Sequence, residues 1–259
     1  MPRIRRSLLA LVVIVVLAAL TAAPAGAARS SAKTSGSITV SAAASLTEAF
    51  TKLGSGFQRK NPKATVTFNF GSSSALVTQI QGGAPADVYA SADLTNMDKL
   101  VSGGQVTKTP TPFARNQMEI AVKPGNPKNV KTVADLATVG TIALCGATVP
   151  CGVYAGSVLK RANVTIPDSS ITRGADAKAT LGAVSTGDAN AAIVYVTDVL
   201  SAGTAVTGVA IPDTQNVIAV YPIAPITTSS NPKLAQSFIA YVVSPAGRKT
   251  LAKYGFLAP

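Results

Sequence analysis

The sequence predicts an α/β protein built on mainly parallel sheets. Three observations lead there. Short β-branched segments alternate with longer helical ones along most of the chain. The joints between them are turns rich in Gly, Ser and Pro. The composition, 47% apolar and 13% charged over 259 residues, supplies a core and is too apolar for a disordered chain.

The alternation follows an N-terminal segment of another kind. Arg3, Arg5 and Arg6 precede an unbroken apolar run over residues 8–20, and Ala25-Gly26-Ala27 comes next. A basic, then apolar, then small-residue order is that of a secretory signal, with cleavage expected near Ala27. The other reading is a membrane anchor. A run of that length spans roughly 20 Å as a helix, against a hydrocarbon core of about 30 Å. Residues 1–27 are therefore assigned to a signal peptide. Residues 28–36, rich in Ser, Ala, Lys and Gly, are assigned to a flexible leader.

Residues 37–40 alternate as a first strand, and a helix follows to about Lys60. Ser45-Leu46-Thr47-Glu48 fits a capping box at the start of that helix. Residues 64–70 form a β-branched and aromatic strand. Gly71-Ser72-Ser73-Ser74 then opens a short helix to Gln81, which Gly82-Gly83-Ala84-Pro85 ends. Residues 87–90 are the next strand, and Asp93 caps the helix after it, which runs to Ser102. Further strands are expected at 119–122, 141–144, 191–195 and 217–221. Further helices are expected at 152–162 and about 177–186, and one runs through the tail from 232 to 254.

Histidine is absent. That removes His-ligated zinc, haem or copper, the Ser-His-Asp triad and any imidazole base. Two cysteines are too few for a thiolate-only zinc site or an iron–sulfur cluster. No P-loop, G-x-S-x-G or G-x-G-x-x-G occurs. Two S-x-x-K matches, Ser30 with Lys33 and Ser157 with Lys160, lack the S-D-N and K-T-G partners of their enzymes, and Ser157 falls in mid-helix. No catalytic residue, metal or cofactor is therefore expected. The net charge of +12 falls to +9 without the signal, with 20 basic against 11 acidic residues. These charges are scattered, so nucleic acid is not an expected partner.

The strand-to-helix joints carry the informative pattern. Four of them place small, uncharged residues at a helix start: Ser45, Ser73 with Ser72 and Ser74, Pro150-Cys151-Gly152, and Asp176-Ala177. A helix start offers free N–H donors and about half a positive charge, a ready anion site. In α/β folds the ligand crevice lies at this end of the strands. Taken singly, each joint is equally an ordinary cap worth about 1 kcal/mol. Function requires that several converge, which spacing alone does not establish. On pattern alone Tyr195, ending a buried strand, reads as core, and Arg173 and Lys178 as solvated surface charges.

At these positions the chain resembles a known family, the periplasmic molybdate-binding proteins of ABC importers. The resemblance runs from about Ile38 to Leu257. It rests on Ala43-Ala44-Ser45-Leu46-Thr47, Gly71-Ser72-Ser73-Ser74, Gly83-Ala84-Pro85-Ala86-Asp87-Val88 and Ala90-Ser91-Ala92-Asp93. Further pieces are Val149-Pro150-Cys151-Gly152-Val153-Tyr154, Ala192-Ile193-Val194-Tyr195 and Lys253-Tyr254-Gly255-Phe256. It implies a two-lobed type II periplasmic-binding-protein fold. Each lobe would be a mainly parallel sheet flanked by helices, with two hinge crossings near Asn116 and Tyr221. Lobe 1 would be 37–115 plus 221–259, and lobe 2 would be 116–220. The family's oxyanion site falls on Ser45, Ser73, Cys151, Ala177 and Tyr195. Hydroxyl and backbone N–H groups would come from the two serines, backbone N–H groups from Cys151 and Ala177, and a phenolic O–H from Tyr195.

Cys151 departs from the small residue common in the family, which a backbone donor tolerates. Cys145 lies six positions earlier. In an exported chain the two are expected to form a disulfide that stiffens the turn, the alternative being two free thiols. The resemblance implies a monomer that captures molybdate or tungstate and delivers it to a permease and ATPase complex. The alternatives are a binder of another tetrahedral oxyanion, sulfate or phosphate, the latter kept open by Asp176, and an exported serine hydrolase.

Overall fold

The computed structural model describes residues 34–259. The assigned signal peptide and most of the leader lie outside the described residues. In chain order the elements are β1 (Gly36–Ala43), α1 (Thr47–Lys60), β2 (Ala64–Gly71), α2 (Ser73–Gln81), β3 (Val88–Ala90), α3 (Leu94–Ser102) and β4 (Thr111–Val122). Then come β5 (Ile142–Cys145), α4 (Pro150–Arg161), β6 (Ile171–Gly174), α5 (Ala177–Ser185), β7 (Ala191–Tyr195) and α6 (Val196–Ala202). The chain finishes with β8 (Thr207–Ala210), β9 (Ile218–Pro225), α7 (Pro232–Val243) and α8 (Pro245–Lys253).

The strands follow the order β2-β1-β3-β9-β4-β7-β5-β6, with β8 also on β4. β1 pairs parallel with β2 and β3, and β5 pairs parallel with β6 and β7. Every antiparallel pair involves β4 or β9. β4 belongs to both lobes: Thr111–Gln117 pairs with β9, and Met118–Val122 pairs with β7 and β8. The chain crosses into the second lobe inside one continuous strand, β4, and returns along β9.

Three departures from the sequence reading have physical causes. The leader ends before residue 36. β1 already starts at Gly36, the Thr34 hydroxyl donates to Asn61 Oδ1 (3.2 Å), and Asn231 Nδ2 donates to the Ser35 carbonyl (3.0 Å). The tail is two helices. Ser244 ends α7 and caps α8 through Gly247 N–H (3.2 Å), while Pro245 has no N–H to continue the helix. Strands β6 and β8 and helix α6 were unmarked. Both strands are half-exposed, only four residues long and without clean alternation, and α6 follows β7 with no turn residue between them.

One apolar core runs under both sheets, from Phe50 and Phe57 through Phe113 and Tyr221 to Ile193 and Tyr195. Phe50 is its centre in lobe 1. Its ring lies 5.6 Å from Phe113, 6.2 Å from Phe68 and 6.2 Å from Phe238, which ties α1 to β2, β4 and α7. Truncation there would leave a cavity bounded by three other rings. Phe50→Ala is expected to cost about 3–5 kcal/mol of stability, read as a fall in the urea midpoint at unchanged slope.

Candidate functional site

The sequence-predicted site residues meet at one place. Ser45, Ser73, Cys151, Ala177 and Tyr195 all line a single narrow cleft between the lobes, and all five are buried. Ala43, Ala44, Ala92, Pro150 and Asp176 complete the wall. No Lys or Arg side chain lines it.

Each residue arrives there for a local reason. Ser72 is the N-cap of α2, its Oγ accepting from Ala75 N–H (3.4 Å), so Ser73 becomes the first helical residue and turns inward. Ser73 Oγ accepts from Ala92 N–H (3.0 Å), which leaves its proton for the cleft. The sequence left Ser72, Ser73 and Ser74 equivalent, and this capping geometry separates them. Asp93 caps α3 as expected, accepting from Asn96 N–H (2.9 Å). Cys151 is the second residue of α4, after Pro150, and Ala177 is the first of α5. Their backbone N–H groups belong to the first turn, where a helix offers them no acceptor, and both residues line the cleft. The Asp176 carboxylate is committed as the cap of α5, accepting from Ala179 N–H (2.9 Å).

Cys145 and Cys151 form a disulfide joining the end of β5 to the first turn of α4. The backbone is close there as well, since a Cβ on Gly152 would overlap the carbonyl oxygen of Gly146. The turn that presents the Cys151 N–H is therefore held by a covalent bond and by packing.

The capping box expected at Ser45 does not form. A short 3-10 turn, Ala44–Leu46, precedes α1, and Ser45 Oγ instead meets Tyr221 Oη at 2.9 Å. Glu48, the expected partner in that box, reaches across the cleft to Lys178 Nζ at 2.8 Å. Lys178 is thus not a solvated surface charge. It also lies 3.5 Å from Asp198 Oδ1 and donates to Ser201 Oγ (2.8 Å). Arg173 stays outside the cleft, donating to the Cys145 carbonyl (3.2 Å) and lying 3.8 Å from exposed Asp168.

Tyr195 is the exceptional group. Its hydroxyl is buried, faces the cleft and has no hydrogen-bond partner, whereas most buried hydroxyls find one. Burial, then the neighbouring tyrosines and Asp198, push its pKa well above the ordinary value, so it stays a donor. Its ring packs edge-on between Tyr154 and Tyr221. Tyr154 Oη also crosses the cleft to the Ala92 carbonyl (3.4 Å).

The cleft therefore carries serine and tyrosine hydroxyls and the starts of helices, with Asp176 at its wall bonded through Oδ1 to Ala179 N–H. Such a lining suits a small anion and no covalent chemistry. Among the described residues no group of His, Cys, Asp and Glu could hold a metal ion. Sequence reasoning missed Asp198 and gave Glu48, Asn116, Tyr154 and Tyr221 other places, as a cap, a hinge, a motif end and a hinge. The side-chain contacts of those four at the site join positions far apart in sequence, which no local pattern shows.

Comparison with known proteins gives consistent results. The profile of the bacterial extracellular solute-binding proteins matches residues 38–257. A molybdate-binding protein ModA of Mycobacterium tuberculosis is 38% identical over 251 residues, covering 96% of this chain and 95% of the relative. One from Haemophilus influenzae is 33% identical, covering 86% and 91%. The periplasmic molybdate-binding protein of Azotobacter vinelandii superposes with a TM-score of 0.78 at 19% identity, over 86% of this chain and 99% of that one.

Two outcomes follow from the site's geometry. Burial pushes the Asp198 carboxyl up to about 6, against the ordinary 3.8, although Lys178 and the Tyr195 N–H favour its charged form. A raised acid stabilises the fold fully below its unfolded pKa, and that contribution is lost as pH rises through the folded value. Asp198→Asn should therefore gain on the wild type between pH 4 and 6, by roughly 3 kcal/mol, and level off above, as read from unfolding free energies against pH. Gly152→Ala should lower stability by about 1–3 kcal/mol in chemical denaturation, because the first turn of α4 must move off Gly146.

Proposed function

The chain belongs to the bacterial extracellular solute-binding proteins, and from that premise we propose that it captures molybdate or tungstate between its lobes and hands it to an ABC importer. It is a binding protein and not an enzyme. The Tyr195 hydroxyl carries the reading: a buried donor with no partner among the described residues, on a residue that lines the same cleft as Ser45, Ser73 and two helix starts.

The proposed ligands of the oxyanion are Ser45 and Ser73 from lobe 1 (37–115 plus 221–259), and Cys151, Ala177 and Tyr195 from lobe 2 (116–220). A tetrahedral dianion leaving water needs donors around its four oxygens to replace its hydration. Five such donors stand in the cleft, four of them at helix starts. The helix ends supply positive potential without a buried countercharge. Asp176 also lines the cleft, its Oδ1 accepting from Ala179 N–H, so hydrogen phosphate is the rival ligand that the titration has to separate. Closure brings the two half-shells together by a hinge motion at β4 and β9. The protein is exported, with cleavage proposed near Ala27, and works as a monomer beside its permease.

Titration calorimetry of the mature protein with molybdate, tungstate, sulfate and phosphate tests this. Molybdate and tungstate are expected to bind tightest, and silence from both would sink the proposal. Ser45→Ala combined with Ser73→Ala should weaken molybdate by roughly 3 kcal/mol, through loss of two charge-assisted donors. An unchanged affinity would place the site elsewhere.

A further inference from the structure

One buried polar chain behind the cleft remains unexplained by the five ligands. Asn116 on β4 and Tyr221 on β9 sit at the two crossings between lobes, and neither touches solvent. Asn116 Nδ2 lies 3.4 Å from Tyr221 Oη and 2.9 Å from Thr197 Oγ1, and Tyr221 Oη lies 2.9 Å from Ser45 Oγ.

The direction of every proton in this chain can be worked out. A backbone N–H can only donate, and Gln117 N–H meets Asn116 Oδ1 at 2.9 Å. That fixes the amide: its oxygen is the acceptor, and its NH₂ group must donate to Thr197 and Tyr221. Tyr221 Oη, receiving that bond, has a proton of its own and one remaining partner, Ser45 Oγ. Left unpaired in the core, this proton would cost the desolvation of a buried donor. Tyr221 therefore donates to Ser45. Ser45 in turn keeps its own proton, and the cleft is the only place left to send it.

We infer that Asn116 and Tyr221 are positioning residues forming a polarity relay from the Gln117 N–H to Ser45, which holds the serine as a donor and tunes the cleft for an oxyanion that carries no proton. The inference rests on the oxyanion-binding reading. It adds that specificity is set partly behind the site, by groups that never touch the ligand. It also ties the ligand to the crossings. The bond from Asn116 in lobe 2 to Tyr221 in lobe 1 joins the two, and the same amide holds Thr197, two residues beyond Tyr195.

The test is a double-mutant cycle read by calorimetry, with thermal melts to establish folding. Tyr221→Phe keeps the ring and its packing and removes only the hydroxyl. It should weaken molybdate about tenfold in the wild-type background and less than twofold in Ser45→Ala, since the relay acts through that serine. Asn116→Asp at pH 8 supplies the reverse polarity. Its carboxylate still accepts from Gln117 N–H but now also accepts from Tyr221, which must then accept from Ser45. That variant should lose molybdate by more than Tyr221→Phe does, and the molybdate-to-hydrogen-phosphate affinity ratio should narrow at least tenfold. A like-charge effect on all anions would leave that ratio unchanged. Folded variants with the wild-type ratio, or a Tyr221→Phe loss that persists in Ser45→Ala, would overturn the relay. Failure of the wild type to bind any oxyanion would instead overturn the function on which the relay rests.

Discussion

An ion with two negative charges gives up a large hydration energy when it leaves water, and the proposed cargo of this protein has to be met on all sides by donors. The cleft is organised around that constraint. Its wall carries serine hydroxyls, a tyrosine hydroxyl and the first N–H groups of helices. The nearby carboxylates each have a partner of their own: Asp176 Oδ1 caps α5, Asp198 Oδ2 accepts from the Tyr195 N–H while its Oδ1 lies 3.5 Å from Lys178, and Glu48 pairs with Lys178. The one nearby ammonium is held by those acids and not by the cleft. Fixed dipoles therefore do the work that a buried countercharge would do at greater desolvation cost.

The two crossing strands make this shell possible. β4 serves both sheets, so the lobes share a strand and a core. Three further links join them. They are Glu48 with Lys178, Tyr154 with the Ala92 carbonyl, and the edge-on pair of Tyr195 and Tyr221. The disulfide works on a smaller scale, fixing one donor turn against β5.

Much of this was legible in the sequence, and the limits follow from the range of the interactions. Strands such as 191–195 and helices such as that from Ser73 to Gln81 announce themselves by periodicity and turn residues. The five cleft residues were found because each sits at a strand-to-helix joint, where local chemistry is visible, and because their order matched a family. Ser45 shows the limit. Its local pattern with Glu48 reads as a capping box, yet tertiary partners 176 and 130 positions away take both side chains. Lys178 was misread for the same reason. Edge strands β6 and β8, half-exposed and four residues long, carry too little pattern to register.

Lobe 1 is assembled from both ends of the chain. β3 finds its second neighbour only in β9, and Phe50 and Phe57 near the start pack on Phe238 near the end. During synthesis, which runs from the N-terminus, that core cannot close until α7 exists, so almost the whole chain must be made before the first lobe is complete. Contacts of such long sequence separation form late and slowly. The topology itself thus delays folding: lobe 1, the first part of the chain to be made, is among the last to close.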